Sequence, residues 1–152
     1  MRDINTFTWA TQVTIILRVV VVALLAGLIG WERDRAGKAA GTRTMALVGI
    51  SATVIVAIGE VLNEKYQLGD PTRALHAVVT GIGFLGAGLI FTSGKNNEIQ
   101  GVTTSATVFT TACMGVAVGL GFLYTAVAFT IVTVIILRST HLMEKAHLKR
   151  GD

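Results

Sequence analysis

The chain has 152 residues, of which 52% are hydrophobic and 14% charged, with a formal net charge of +4 and a mean hydropathy of +0.66. Soluble domains carry about 25% charged residues, and a water-soluble globule of this size could not hide so much apolar surface. One Cys excludes an internal disulfide and any cysteine-based metal cluster, while 17 Gly with a single Pro suit close-packed membrane helices, not disorder or a collagen repeat.

Residues 13–31 form the first apolar stretch, which ends in the charged loop ERDRAGKAAGTR. Trp9 and Trp31 bracket it 22 residues apart, about 33 Å of helix, which suits an aromatic belt at each interface. The second stretch, residues 44–61, carries no charge until Glu60, and a polar loop follows over residues 63–73. The third, residues 74–91, ends at the polar hairpin SGKNNEIQ. Residues 102–137 are then uncharged for 36 positions, nearly two crossings at about 20 residues each. The turn between them is expected around Gly119, Gly121 and Tyr124, where glycines let the chain reverse and tyrosine prefers the headgroup level.

Charge decides between four and five crossings. With five, Arg33, Arg35, Lys38, Arg43, Lys95, Arg138, Lys145, Lys149 and Arg150 share one face, nine basic residues against three (Arg2, Lys65, Arg73) on the other. With four, the count becomes five against seven. The positive-inside rule therefore predicts an all-α membrane protein, a bundle of five transmembrane helices with the N-terminus outside and the C-terminus cytoplasmic. Residues 1–138 would form the transmembrane domain and 139–152 a short basic cytoplasmic tail, long enough for an amphipathic helix on the inner leaflet. The weakly charged start and the four further hydrophobic segments argue against a cleaved signal.

Polar residues and glycines that could carry function fall into a few clusters. In DPTRALHAVVTGIGFLGAGLIF, Asp70 and Pro71 read as N-cap and first-turn residue of the third span, with Arg73 near the headgroups. Gly81, Gly83, Gly86 and Gly88 then form either a small-residue packing face or a loosened helix lining a site. In GVTTSAT, Thr103, Thr104 and Ser105 either cap the fourth span or contact an anion. Gly115 and Gly119, four apart, form a further close-contact face. In the first loop, Glu32, Arg33 and Arg43 are either a structural ion-pair network or part of a ligand site. Arg18 lies about 13 Å inside Trp9 on a straight helix, where an ionisable group costs at least ~2.5 kcal/mol unless relieved. It either snorkels to the outer face or pairs with Asp70 or Glu60.

Familiar chemistries find no matching pattern. Cys113 lies in an apolar span as a small hydrophobe, and His76, His141 and His147 make no triad or metal-binding spacing. The glycines of GIGFLGAG lack the strand and Lys of a phosphate loop. All carboxylates (Glu32, Asp34, Glu60, Glu64, Asp70, Glu98) sit at span ends or in loops, which speaks against a midplane Mg²⁺ site. No cofactor and no enzymatic activity are expected, and the metal question stays open.

At these motifs the chain resembles the MgtC/SapB family of bacterial inner-membrane proteins. Three blocks carry the resemblance in family order over residues 18–137: Gly30, Glu32, Arg33 with Gly41, Arg43 and Thr44; Asp70 and Arg73 with GIGFLGAG; and Gly101 with Thr103 and Thr104. Arg18 matches the basic residue that opens the family's first span. Ser105 and Phe109 depart from the family's TTAA-type run followed by Trp. The chain is also expected to comprise the membrane domain alone, without the cytoplasmic regulatory domain of members named for virulence roles. The resemblance implies a multi-pass inner-membrane protein tied to magnesium limitation, acid stress or intracellular survival. Inhibition of the proton-driven ATP synthase is a role of some members.

The leading expectation is a non-enzymatic modulator of membrane energetics or ion homeostasis. The alternative is a transporter or channel for an ion (Mg²⁺ included) or a small solute, with the third span, Arg43, Asp70 and Thr103 along its path. Expected partners are the lipid bilayer, another membrane protein complex and further copies of the chain. No nucleic-acid partner is expected.

Overall fold

A computed structural model describes residues 9–67, 70, 72–93 and 98–148. Pro71, Lys95, Lys149 and Arg150 lie outside them, as do the tail's side chains beyond Ser139. Five helices follow in chain order: α1 (Trp9–Arg35), α2 (Thr42–Tyr66), α3 (Arg73–Gly88), α4 (Val102–Gly119) and α5 (Leu123–Leu148). A small antiparallel hairpin of β1 (Phe91–Ser93) and β2 (Glu98–Gln100) joins α3 to α4, with Thr92 opposite Ile99. Of these helices, α1, α2 and α4 are long and apolar enough to cross a membrane.

The helix boundaries follow from backbone chemistry. At the end of α1, Gly37 takes a left-handed conformation (φ 65°). Its N–H reaches the Asp34 carbonyl, and the Lys38 N–H reaches that of Arg33. This paired closure satisfies carbonyls that a terminating helix would otherwise orphan. The same device ends α4: Gly121 sits at φ 86°, its N–H bonded to the Val118 carbonyl and the Phe122 N–H to that of Ala117. The long uncharged run thus reverses where the glycines stand, and α5 begins two residues later. The tail does not break into a separate helix; the α5 backbone stays helical to Leu148.

The core is built mainly by α1, α2 and α4, through Val22, Ala26, Ile29, Met45, Val56, Val108, Met114 and Val118. Half of α4 is buried, against 22% of α1, so α4 is the central helix. α1 and α2 lie antiparallel, with Gly30 against Thr42 at one end and Arg18 against Glu60 at the other. α2 and α4 run parallel: Met45 meets Thr111, Gly49 meets Gly115, and Thr53 meets Gly119. At this seam a Cβ on Gly115 would stand 2.5 Å from the Gly49 carbonyl oxygen, so only glycine permits the approach. The Thr53 hydroxyl crosses it, donating to the Gly115 carbonyl at 2.8 Å.

α3 packs on α2 and α4, and α5 on α1 and α4. The outward faces are apolar: Ile16, Leu17, Leu24 and Leu28 of α1, and Ile131, Val132, Ile135 and Ile136 of α5 are all exposed. So large an apolar surface belongs against lipid.

Candidate functional site

The sequence-predicted residues divide between the two ends of the bundle. The hairpin end collects the C-termini of α1 and α3 and the N-termini of α2 and α4. Here Glu32 and Arg33, neighbours in sequence, curl together, with Arg33 Nε donating to Glu32 Oε2 at 2.6 Å. Their side chains are only 5% and 2% exposed, so each charge is neutralised where water could not do it. Removing one member of such a pair strands the other. On the turn beyond, Arg35 lies over the Trp31 ring, 3.9 Å from its centroid.

The α1–α2 loop is tied back on itself. Asp34 Oδ2 accepts from the Thr42 N–H at 2.9 Å and from its hydroxyl at 2.6 Å. Gly41, the N-cap of α2, has no capping side chain, so the Asp34 carboxylate, eight residues before Thr42, does that work. A Cβ on Gly30 would meet Thr42 Cα at 2.4 Å, and one on Gly41 would collide with Asp34. Both glycines therefore serve the closure of this loop. Arg43 and Thr44 are exposed beside it.

Across the same end, Gly86 packs on Ser105, whose Oγ would lie 2.7 Å from an added Cβ. Gly81, Gly83 and Gly88 meet no described neighbour. The glycine-rich α3 is a continuous helix, so the loosened-helix reading is not what the backbone adopts. Within the chain, only Gly86 of the four is a packing contact. Thr103 and Thr104 start α4, but neither they nor Ser105 caps it; Gly101, at φ 87°, is its N-cap, and among the described residues no side chain is seen bonded to the first-turn amides. Gly37, Lys38, Gly88, Leu89, Thr103 and Thr104 are among the residues around a cleft of about 570 Å³ at this end.

The opposite end holds Arg18, Asp70 and Arg73. Arg18 Nη1 donates to Glu60 Oε2 at 3.3 Å and to the Gly119 carbonyl. Of the two carboxylates considered for it, Glu60 is the partner, and the guanidinium also answers the negative end of the α4 dipole. Asp70 stands two residues before the α3 N-cap, Thr72, not at the cap itself. Its Oδ1 accepts from the Thr72 N–H at 2.8 Å and from the hydroxyl at 2.7 Å. Those bonds, the hydroxyl's first, hold the Asp70 carboxyl below its usual range, with His76 and Arg73 adding smaller pulls. Arg73 is exposed. Sixteen residues of α3, about 24 Å, separate this end from Arg43 and Thr103.

Asp34 and Lys38 were not singled out as site residues by sequence reasoning. Asp34's role is a bond across a loop, for which spacing offers no signal; Lys38 matters only because the loop folds toward α4. No group of three or more His, Cys, Asp or Glu side chains is placed to hold a metal ion among the described residues.

Comparison with known proteins is decisive on kinship. The profile of the MgtC family matches residues 19–146. The chain belongs to the MgtC family. Its relatives include the protein named "Putative magnesium transporter YhiD" of Escherichia coli (strain K12), 34% identical over 83% of this chain and 60% of that protein. Protein MgtC of Brucella abortus (strain 2308) is 40% identical over 71% of this chain and 43% of its own length. Protein MgtC of Salmonella typhimurium is 41% identical over 77% and 48% respectively. The chain thus spans about half the length of the curated relatives it matches. No solved structure matches it. Family and apolar helices together make this a membrane protein of the MgtC family.

Proposed function

We propose that the chain is a five-crossing bundle of the bacterial inner membrane, N-terminus outside and C-terminus cytoplasmic. In this reading it catalyses no reaction and modulates another membrane system, adjusting membrane energetics or ion balance under magnesium limitation or acid stress. The supporting observation is the closed α2–α4 seam. Glycine brings backbone against backbone there, and the Thr53, Thr107 and Thr111 hydroxyls all donate to main-chain carbonyls, as does the Thr130 hydroxyl on α5. An ion crossing that interior would meet hydroxyls already engaged, while charged groups stand only at the two ends.

The outward side of α3 supports a membrane-embedded partner. Gly81 faces an apolar groove of about 350 Å³ between α2 and α3, lined also by Leu47, Ile55, Val78 and Leu85. A small-residue face open to the bilayer lets a second helix approach closely. Cross-linking from Gly81→Cys in native membranes should capture another membrane protein, while proteoliposomes of the purified chain should show no saturable Mg²⁺ flux. Saturable flux abolished by Asp70→Asn or Arg43→Gln would replace this reading with that of a transporter. Reporter fusions placing the last residues outside the cell would overturn the topology.

A further inference from the structure

The cleft at the hairpin end is lined by one charged residue, Lys38, by Gly37, Gly88 and Gly101, by the first turn of α4, and on its other sides by mostly apolar residues such as Leu89, Phe91 and Ile99. Among the described residues no carboxylate lines it. The N–H groups of Val102, Thr103 and Thr104 precede the first intrahelical bond, Ser105 N–H to the Gly101 carbonyl at 2.8 Å; the N-cap, Gly101, has no side chain to cap them, and no other described side chain is bonded to them. An 18-residue helix therefore presents its positive end uncovered to this space.

Thr104 supplies a second, independent pointer. It is only 6% exposed, yet its hydroxyl makes no hydrogen bond to any described residue, unlike those of Thr107, Thr110 and Thr111 on the same helix. Every fully enclosed side-chain N or O atom among the described residues has a partner. The Thr104 hydroxyl must therefore keep its small access, and the cleft is the space that Thr104 lines. A hydroxyl with so little access and no partner in the chain is left to bond whatever occupies the space it reaches.

We propose that this cleft binds an oxyanion of the phosphate class, held by the α4 N-terminal amides, the Thr104 hydroxyl and the Lys38 ammonium. A phospholipid headgroup and free phosphate share that chemistry. The site does not depend on the modulator reading, because a transporter would present the same groups.

The test uses the full chain in two arms. Inorganic phosphate is titrated calorimetrically onto protein in phosphatidylcholine nanodiscs, and phosphatidylglycerol is titrated onto protein in neutral detergent and followed by native mass spectrometry. At least one arm should saturate, weakened about tenfold by Thr104→Val and by Lys38→Gln, since a bond to a charged group is worth that much. Thr110→Val, on the same helix outside the cleft, should bind as wild type. Saturation by phosphate identifies a soluble anion, and saturation by phosphatidylglycerol alone identifies a lipid headgroup. Binding in neither arm, or binding undiminished by Lys38→Gln, overturns the site. Lys38 is exposed on a loop, so that variant decides the matter even if Thr104→Val fails to fold.

Discussion

Replacing Gly115 by Ala probes the seam on which the fold closes. The new methyl would stand 2.5 Å from the Gly49 carbonyl oxygen and 3.1 Å from Ala52 Cβ. Close carbon–oxygen contacts run at about 3.3 Å or more, so α2 and α4 must part by roughly 0.8 Å. The obstacle is backbone, which has no rotamer by which to yield. The same displacement stretches the 2.8 Å Thr53–Gly115 hydrogen bond to about 3.6 Å, beyond useful range. Overpacking of this kind costs about 1–3 kcal/mol and the lost bond about 1 more, for a total of roughly 2–4 kcal/mol. Gly83→Ala is the matched control, because nothing stands within 4 Å of its added Cβ and helix propensity favours Ala by about 0.5–1 kcal/mol. Denaturant unfolding in detergent micelles, followed by far-ultraviolet circular dichroism, reads both. Equal stability of the two variants would refute the parallel α2–α4 contact as the centre of the fold.

The other predictions use the charged groups at either end. Glu32→Gln strands a buried guanidinium and should cost about 3–5 kcal/mol, whereas Glu32→Leu with Arg33→Leu should recover most of it in the same unfolding assay. Arg18→Leu should destabilise more than Glu60→Gln, since Arg18 also bonds the Gly119 carbonyl. A double-mutant cycle should assign the Arg18–Glu60 pair itself about 1 kcal/mol or less. Asp34→Ala removes the acceptor that starts α2 and should loosen its first turn; faster hydrogen exchange at the Thr42 amide would show it, and unchanged exchange would refute the cap. Asp70's carboxyl is depressed below its ordinary 3.8, so its stabilisation is complete above that pH and is lost as pH falls through the lower folded value. Melting of wild type and Asp70→Ala should therefore differ by a constant amount from pH 5 to 7 and converge only in stronger acid; convergence already near neutral pH would contradict the Thr72 bonds.

Much of the helix layout was legible because hydropathy reports which segments avoid water. The α4–α5 turn is the clearest case, since 36 uncharged residues exceed one crossing and the glycines mark the reversal. Ends were less legible. α1 runs from Trp9 to Arg35, beyond the apolar residues 13–31, because backbone hydrogen bonding continues through charged side chains that hydropathy counts as loop. Which side of a helix meets protein was less visible still. Gly81, Gly83, Gly86 and Gly88 read alike in sequence, yet one of the four packs against a neighbour within the chain. Arg18's choice of Glu60 over Asp70 is a matter of register between α1 and α2, which composition does not encode. Thr103, Thr104 and Ser105 read in sequence as caps or as anion contacts alike; that Gly101 takes the N-cap position instead is a three-dimensional fact.

Because α2 and α4 lie side by side and point the same way, the chain must travel through α3 and the hairpin before its two central helices can meet. During synthesis, α1 and α2 can dock once the chain has passed Glu60, but the Gly49 surface waits for Gly115, some sixty-six residues later. Until then that surface stands open, and any fragment ending before Val102 leaves it so.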